Sequence, residues 1–182
     1  MQEKFIPFSK VLKEATWPIH QKTDKLVFSQ LDANTETLSI SFAHWYMNLK
    51  KIRFLESHLV RSLVDFDFEY LLSLLPSLQH TTNAPKEAFT DHQRLGMYYV
   101  IRGSANGSRF IVKKLKQKHL LKPYFQYLAS FDINSWEQFK KRIDQIEEEN
   151  QQEVIEGATL AFRWLLQEIT LSSDLQRNPT DN

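Results

Sequence analysis

The chain has 182 residues, 23 Lys and Arg against 22 Asp and Glu for a formal net charge of +1, 42% apolar and 13% aromatic residues, and no cysteine. That length fits one domain with a sizeable core, and the balanced charge points to neither a nucleic-acid nor an acidic-membrane partner. The missing cysteine rules out disulfides and thiolate metal sites and suits a reducing cytoplasm.

Four glycines and six prolines are low counts that favour long helices over a turn-rich β architecture. The N-terminus, Met1-Gln2-Glu3-Lys4-Phe5, lacks the charged-then-apolar run of a signal peptide, and no stretch reaches membrane-span length. Phe8 to about Phe28 carries Phe8, Val11, Leu12, Ala15, Ile19, Leu26 and Val27 at helical spacing. Pro18 interrupts this pattern, because proline lacks an N–H and disfavours helix at Trp17. Thr16 then reads as the cap of a second helical piece with Pro18 in its first turn. His20 falls early in that piece, and Asp24 follows one turn later, within reach of an imidazole N–H.

Leu38 to about Val64 reads as one long amphipathic helix through Phe42, Trp45, Tyr46, Leu49, Ile52, Leu55, Leu59 and Leu63. A shorter helix over Glu69 to Leu75 stops at Pro76, and Ser77 to Pro85 is a polar, proline-bearing loop. A helix from about Lys86 to Arg102 leads into Gly103-Ser104-Ala105-Asn106-Gly107, and the same rod carries on from Ser104 to Leu121, ended by Pro123. Ser135 caps Trp136 to Glu149, with Gln138 as its capping-box partner. Glu153 to Leu171 is the last helix, and Ser172 to Asn182 is a polar, loose tail. The fold class is all-α, one helical domain over residues 1–171. A nucleotide-binding glycine loop, His-Glu-x-x-His, paired Glu-x-x-His and a serine nucleophile elbow are all missing.

The anomaly in this pattern is Gly103 and Gly107, two of the four glycines, one turn apart inside a helix. Each costs about 1 kcal/mol of helix stability relative to alanine. Glycines at i and i+4 bare a strip of backbone on one face, suited either to a close-packed helix or to a flat ligand. Among His20, His44, His58, His80, His92 and His119, no two have a spacing suited to a metal held by protein ligands alone. A cofactor with its own equatorial ligands, such as haem, needs only one, and His20 has the best context. Lys13, seven residues before His20, would share its face in an unbroken helix. Arg109, Lys113, Lys114, Lys116 and Lys118 form a basic stripe, either a solvated face or an attractor for an acidic partner or a ligand's carboxylates. Tyr98 and Phe162 read as core aromatics or as cofactor walls.

Leu12-Lys13-Glu14-Ala15-Thr16-Trp17-Pro18-Ile19-His20 resembles the proximal-helix motif of haem oxygenases, and Tyr98 through Ser108 resembles their glycine-bearing distal helix. Trp136-Glu137-Gln138-Phe139-Lys140 and Gly157-Ala158-Thr159-Leu160-Ala161-Phe162 are similar to the family's late helices, so the likeness spans Phe8 to Leu171. The form Gly-Ser-x-x-Gly is nearest the bacterial subgroup that includes suppliers of biliverdin to bacteriophytochromes.

The resemblance implies a haem-oxygenase-like fold with haem sandwiched between proximal and distal helices. It implies His20 as the axial iron ligand with Asp24 beside it. Gly103, Ser104 and Gly107 would lie over the distal face, with Tyr98 and Phe162 in the pocket and Lys13 and Lys140 on the propionates. Ser104 stands where many animal-type relatives have an aspartate, and with Asn106 it would hold water there. The implied activity opens haem, both cofactor and substrate, to biliverdin, carbon monoxide and ferrous iron, with electrons from a ferredoxin or flavin reductase. A haem carrier or sensor on the same fold, or a helical interaction module, is the alternative.

Overall fold

A computed structural model describes residues 6–64, 67–76, 88–117 and 121–177 of the protein. Among them are eight α-helices and no strand: α1 Phe8–Ala33, α2 Thr35–Lys51, α3 His58–Arg61, α4 Phe68–Ser73, α5 Asp91–Gln117, α6 Pro123–Ala129, α7 Ile133–Ile143 and α8 Glu148–Arg177. A single 3-10 turn, Phe54–Glu56, precedes α3. Among the described residues, no helix is long and apolar enough to cross a membrane. The expected Ser77–Pro85 loop, His80 and His119 lie outside the described residues.

Helix α1 is unbroken. Pro18 sits inside it, and Thr16, expected to cap a second piece, is buried and turns its hydroxyl back to the Leu12 carbonyl at 2.8 Å. A threonine bonded to the preceding turn accommodates the distortion that proline brings without ending the helix. The start of α1 is closed from outside, since the Ser9 N–H donates to Asp144 Oδ1 at the end of α7 at 2.7 Å.

The expected rod from Leu38 to Val64 is three pieces. Asn34 opens α2 by accepting from the Glu36 and Thr37 N–H groups. Arg53 then enters the left-handed region at φ 57, and a 3-10 turn and the Ser57-capped α3 follow. Apolar periodicity runs straight across that break, which is why periodicity alone reads it as continuous.

Helix α5 starts at Asp91, where Thr90 and Gln93 form a reciprocal capping box: Gln93 N–H to Thr90 Oγ1 and Thr90 N–H to Gln93 Oε1, each 3.1 Å; the expected start at Lys86 lies outside the described residues. Pro123 begins α6 as its first-turn proline instead of merely ending α5. Asp132 caps α7, accepting from the Asn134 N–H at 3.1 Å. Ser135, expected in that role, lies inside α7, donates to the Asp132 carbonyl and accepts from the buried Arg102. The last helix continues to Arg177, past the expected stop at Leu171, with Ser173 bonded to both the Ile169 carbonyl and Gln30 of α1.

Helix α8 is the spine, packed against α1, α2 and α5. Trp45 of α2 is fully buried and donates its indole N–H to the Ala161 carbonyl at 2.9 Å. Ser41 reaches the Glu168 carbonyl, and Asn48 donates to Glu168 Oε1 at 3.1 Å. Against α5 the contact is backbone on backbone. A Cβ built on Gly96 would fall 2.0 Å from the Val154 carbonyl oxygen, and one on Gly157 would fall 1.9 Å from that of Gln93. The crossing exists only because both positions lack side chains.

Two predictions follow from this packing. Gly96→Ala and Gly157→Ala each lose roughly 3 kcal/mol in urea denaturation, because neither backbone can yield. Gly103→Ala and Gly107→Ala meet open space at negative φ and gain roughly 0.5–1 kcal/mol of helix stability each. Equal effects at all four would contradict the packing. Burial raises the Glu168 carboxyl above its ordinary pKa, against the opposing charge of His44 and the hydrogen bond from Asn48. The native state therefore holds this proton longer than the unfolded chain, and stability falls as pH rises from the ordinary glutamate range through the raised value. In chemical denaturation across that window, the wild-type-minus-Glu168→Gln stability difference slopes downward; a flat difference would contradict the placement.

Candidate functional site

Gly96, Gly103, Gly107, Phe110 and Lys114 lie at intervals of seven, four, three and four residues, one stripe along α5. The stripe meets different things along its length. At Gly96 it presses on α8 around Val154 and Ala158. At Lys114 it reaches α1, with Nζ 2.7 Å from Asp32 Oδ2 and 5.7 Å from the centre of the Phe28 ring. Between these two contacts, a Cβ built on Gly103 or Gly107 has no atom of the described residues within 4 Å. The close-packing explanation therefore applies to Gly96 and Gly157 and fails for Gly103 and Gly107. Their bare backbone faces open space, hereafter the window.

His20 stands at the height of that window. Along α8, Ala158 touches Gly96 and, one turn on, Phe162 stacks against His20, ring centres 5.0 Å apart and 28° between planes. From the other end, Gly103 lies eleven residues before Lys114 and His20 twelve before Asp32, about 16 and 18 Å along their helices. Helices α1 and α5 thus run in the same sense past α8, with His20 and Gly103 level. The His20 side chain is 39% exposed, with Nε2 3.4 Å from Asp24 Oδ2. Trp17 stands edge-on to its ring at 5.6 Å. Phe162 and Trp17 fix the ring plane, and Asp24 stands beside Nε2.

Lys13 and Lys140 meet in one recess of about 270 Å³, lined also by Pro7, Ser9, Lys10, Glu137, Lys141 and Asp144. The unbroken α1 keeps Lys13 on the His20 face, two turns or about 10 Å away, with its Nζ 5.8 Å from the Trp17 ring centre. Lys140 is paired with Glu137 at 2.8 Å and lies 5.9 Å from the Trp136 ring centre. Four lysines against two carboxylates leave the recess cationic.

Other candidates fall elsewhere. Tyr98 is fully buried, with its hydroxyl donating to the Leu63 carbonyl at 3.1 Å and its ring against Phe139. It is on the far side of α5 from the glycines and offers no surface to the window. Ser104 flanks the strip instead of lying on it. Its hydroxyl donates to the Ile101 carbonyl at 2.6 Å and stands beside the fully buried Tyr46 hydroxyl, whose pKa is pushed far up by desolvation, which the hydrogen bond with Ser104 opposes. Asn106 accepts from Arg109 at 3.4 Å. Within the basic stripe, Arg109 turns back onto the Ala129 and Phe131 carbonyls and Lys114 is paired with Asp32, while Lys118 lies outside the described residues.

His58 pairs with Asp91 and His92 with Glu153, and no group of three His, Asp or Glu among the described residues is arranged to hold a metal ion. The donor set at the window is one oriented imidazole. Such a set suits a group that brings its own equatorial ligands. Sequence reading did not single out Trp17, Phe28, Phe110, Lys10 or Lys141 around the window and recess. Exposure of Phe28 at 39% and Phe110 at 70% is a surface fact that helical periodicity does not reveal. Comparison with protein-family models and with curated proteins finds no match.

Proposed function

We propose that this protein is a haem oxygenase that opens haem to biliverdin, releasing carbon monoxide and ferrous iron, with O2 and with electrons from a ferredoxin or flavin reductase. The observation that carries the reading is the window at Gly103 and Gly107, open over bare helix backbone and level with the His20 imidazole on the opposing helix. A planar macrocycle needs such a slot, and a single histidine suffices as its protein ligand. Bound haem supplies the iron that binds O2 and is itself the molecule oxidised.

This chain's residues do the rest. His20, its plane fixed between Phe162 and Trp17 and with Asp24 beside it, would hold the iron of the group. A neutral imidazole lacks the electron push of a thiolate. Gly103 and Gly107 would let the α5 backbone approach a flat ligand closely, orienting it and excluding water from that face. Lys13, with Lys10, Lys140 and Lys141 around it, receives carboxylates two turns from His20. Phe28 and Phe110 supply apolar edges.

A second reading, a haem carrier or sensor that does not turn over, is favoured by one observation. The Ser104 hydroxyl is already committed to the Ile101 carbonyl, so no acidic or free hydroxyl group stands on the strip itself.

Hemin titration distinguishes these readings. A Soret band appears with quenching of Trp17 fluorescence, and ascorbate or a ferredoxin system converts it to a bile pigment. His20→Ala shifts or abolishes the band, and Lys13→Ala with Lys140→Ala weakens hemin binding about tenfold. Stable binding without conversion leaves the carrier. No band, or a band indifferent to His20→Ala, contradicts both haem readings.

A further inference from the structure

The window has two unlike ends. At Gly96 the backbones of α5 and α8 touch, and nothing there can move without breaking the crossing. At the other end α5 is joined to α1 through Lys114, whose ion pair with Asp32 spans 2.7 Å with side chains 33% and 55% exposed. Lys114 also lies over Phe28, and Phe110 stands one turn earlier on the same stripe. The two faces are therefore apolar near the mouth, and the lysine bridges them. Between the fixed end and this bridge lie Gly103 and Gly107, the two residues that most soften the helix.

An exposed ion pair is weak and exchanges readily with water, so the slot is weakest at Lys114. The back of α5 is held by the buried Leu115 and by Arg109 on the Ala129 carbonyl at the end of α6 and the Phe131 carbonyl just beyond it, which limits any opening to a small outward tilt. We propose that the Lys114–Asp32 pair is a clasp that sets the spacing of α1 and α5 at the mouth of the window, and with it the rate at which a flat ligand enters and leaves. The ligand's identity rests on the haem reading above, while the clasp itself does not.

Charge reversal tests it in the full chain. Lys114→Asp and Asp32→Lys each put like charges across the mouth, and the double variant restores an opposite pair. Amide hydrogen exchange of the ligand-free protein over residues 103–117 speeds up two- to fivefold in each single variant and returns to within twofold of wild type in the double. Exchange over residues 154–165 of α8 stays unchanged. Hemin release to excess apomyoglobin follows the same pattern.

Singles indistinguishable from wild type, a double no slower than the singles, or faster exchange spreading into α8 each overturn the clasp. If exchange follows the pattern but hemin never binds, the clasp stands and the haem reading falls. If hemin binds and neither rate responds, the reverse holds.

Discussion

Where α5 crosses α8, Gly96 and Gly157 bring main chain against main chain, closer than any side chain would permit. That contact fixes the height and direction of α5 relative to the spine helix. From it, the glycine stripe leaves α8 and reaches α1 only at Lys114, about 27 Å further on. The gap between those two points is what exposes Gly103 and Gly107. Without the crossing, α5 would ride higher on α8, and the bare strip would have no fixed relation to His20.

On the opposite wall, the continuity of α1 through Pro18 matters as much. One stripe of that helix carries Lys13, Trp17, His20 and Asp24, each in contact with the next: a cation near an indole, an indole edge on an imidazole, an imidazole beside a carboxylate. A helix restarted at Thr16 would have thrown Lys13 off this face. The buried Thr16 hydroxyl, bonded back to Leu12, is part of what keeps the row aligned. The end of α7 then caps the start of α1 through Asp144, which brings Lys140 and Lys141 beside Lys10 and Lys13.

Much of the fold was legible because burial follows helical periodicity: Phe42, Trp45, Tyr46, Leu49 and Ile52, read as the inner face of one helix, are all buried. Periodicity could not see the left-handed turn at Arg53, since no glycine or asparagine marks it. It also passed over the Thr90–Gln93 capping box, and it took Pro123 as an end where it is also a beginning. In the site, the oddity of two helical glycines was visible but ambiguous, because a sequence does not say what lies opposite a bare strip. Gly96 and Gly157, which looked ordinary, carry the packing, while Gly103 and Gly107 do not. Tyr98, read as a core aromatic or a cofactor wall, is the core aromatic, because every aromatic on a mostly buried helix looks alike until the neighbouring carbonyl, here Leu63, is known.

If the strip at Gly103 and Gly107 is where a flat ligand lies, filling it must remove binding while leaving the fold intact. The Cβ of a leucine at either position meets no atom of the described residues within 4 Å, and leucine adds helix propensity. The most direct measurement is hemin affinity, by Soret titration, of Gly103→Leu/Gly107→Leu against wild type, with thermal stability measured on both. The account predicts at least a tenfold loss of affinity with an unchanged or raised melting temperature. Undiminished hemin binding by a stably folded double variant would contradict it.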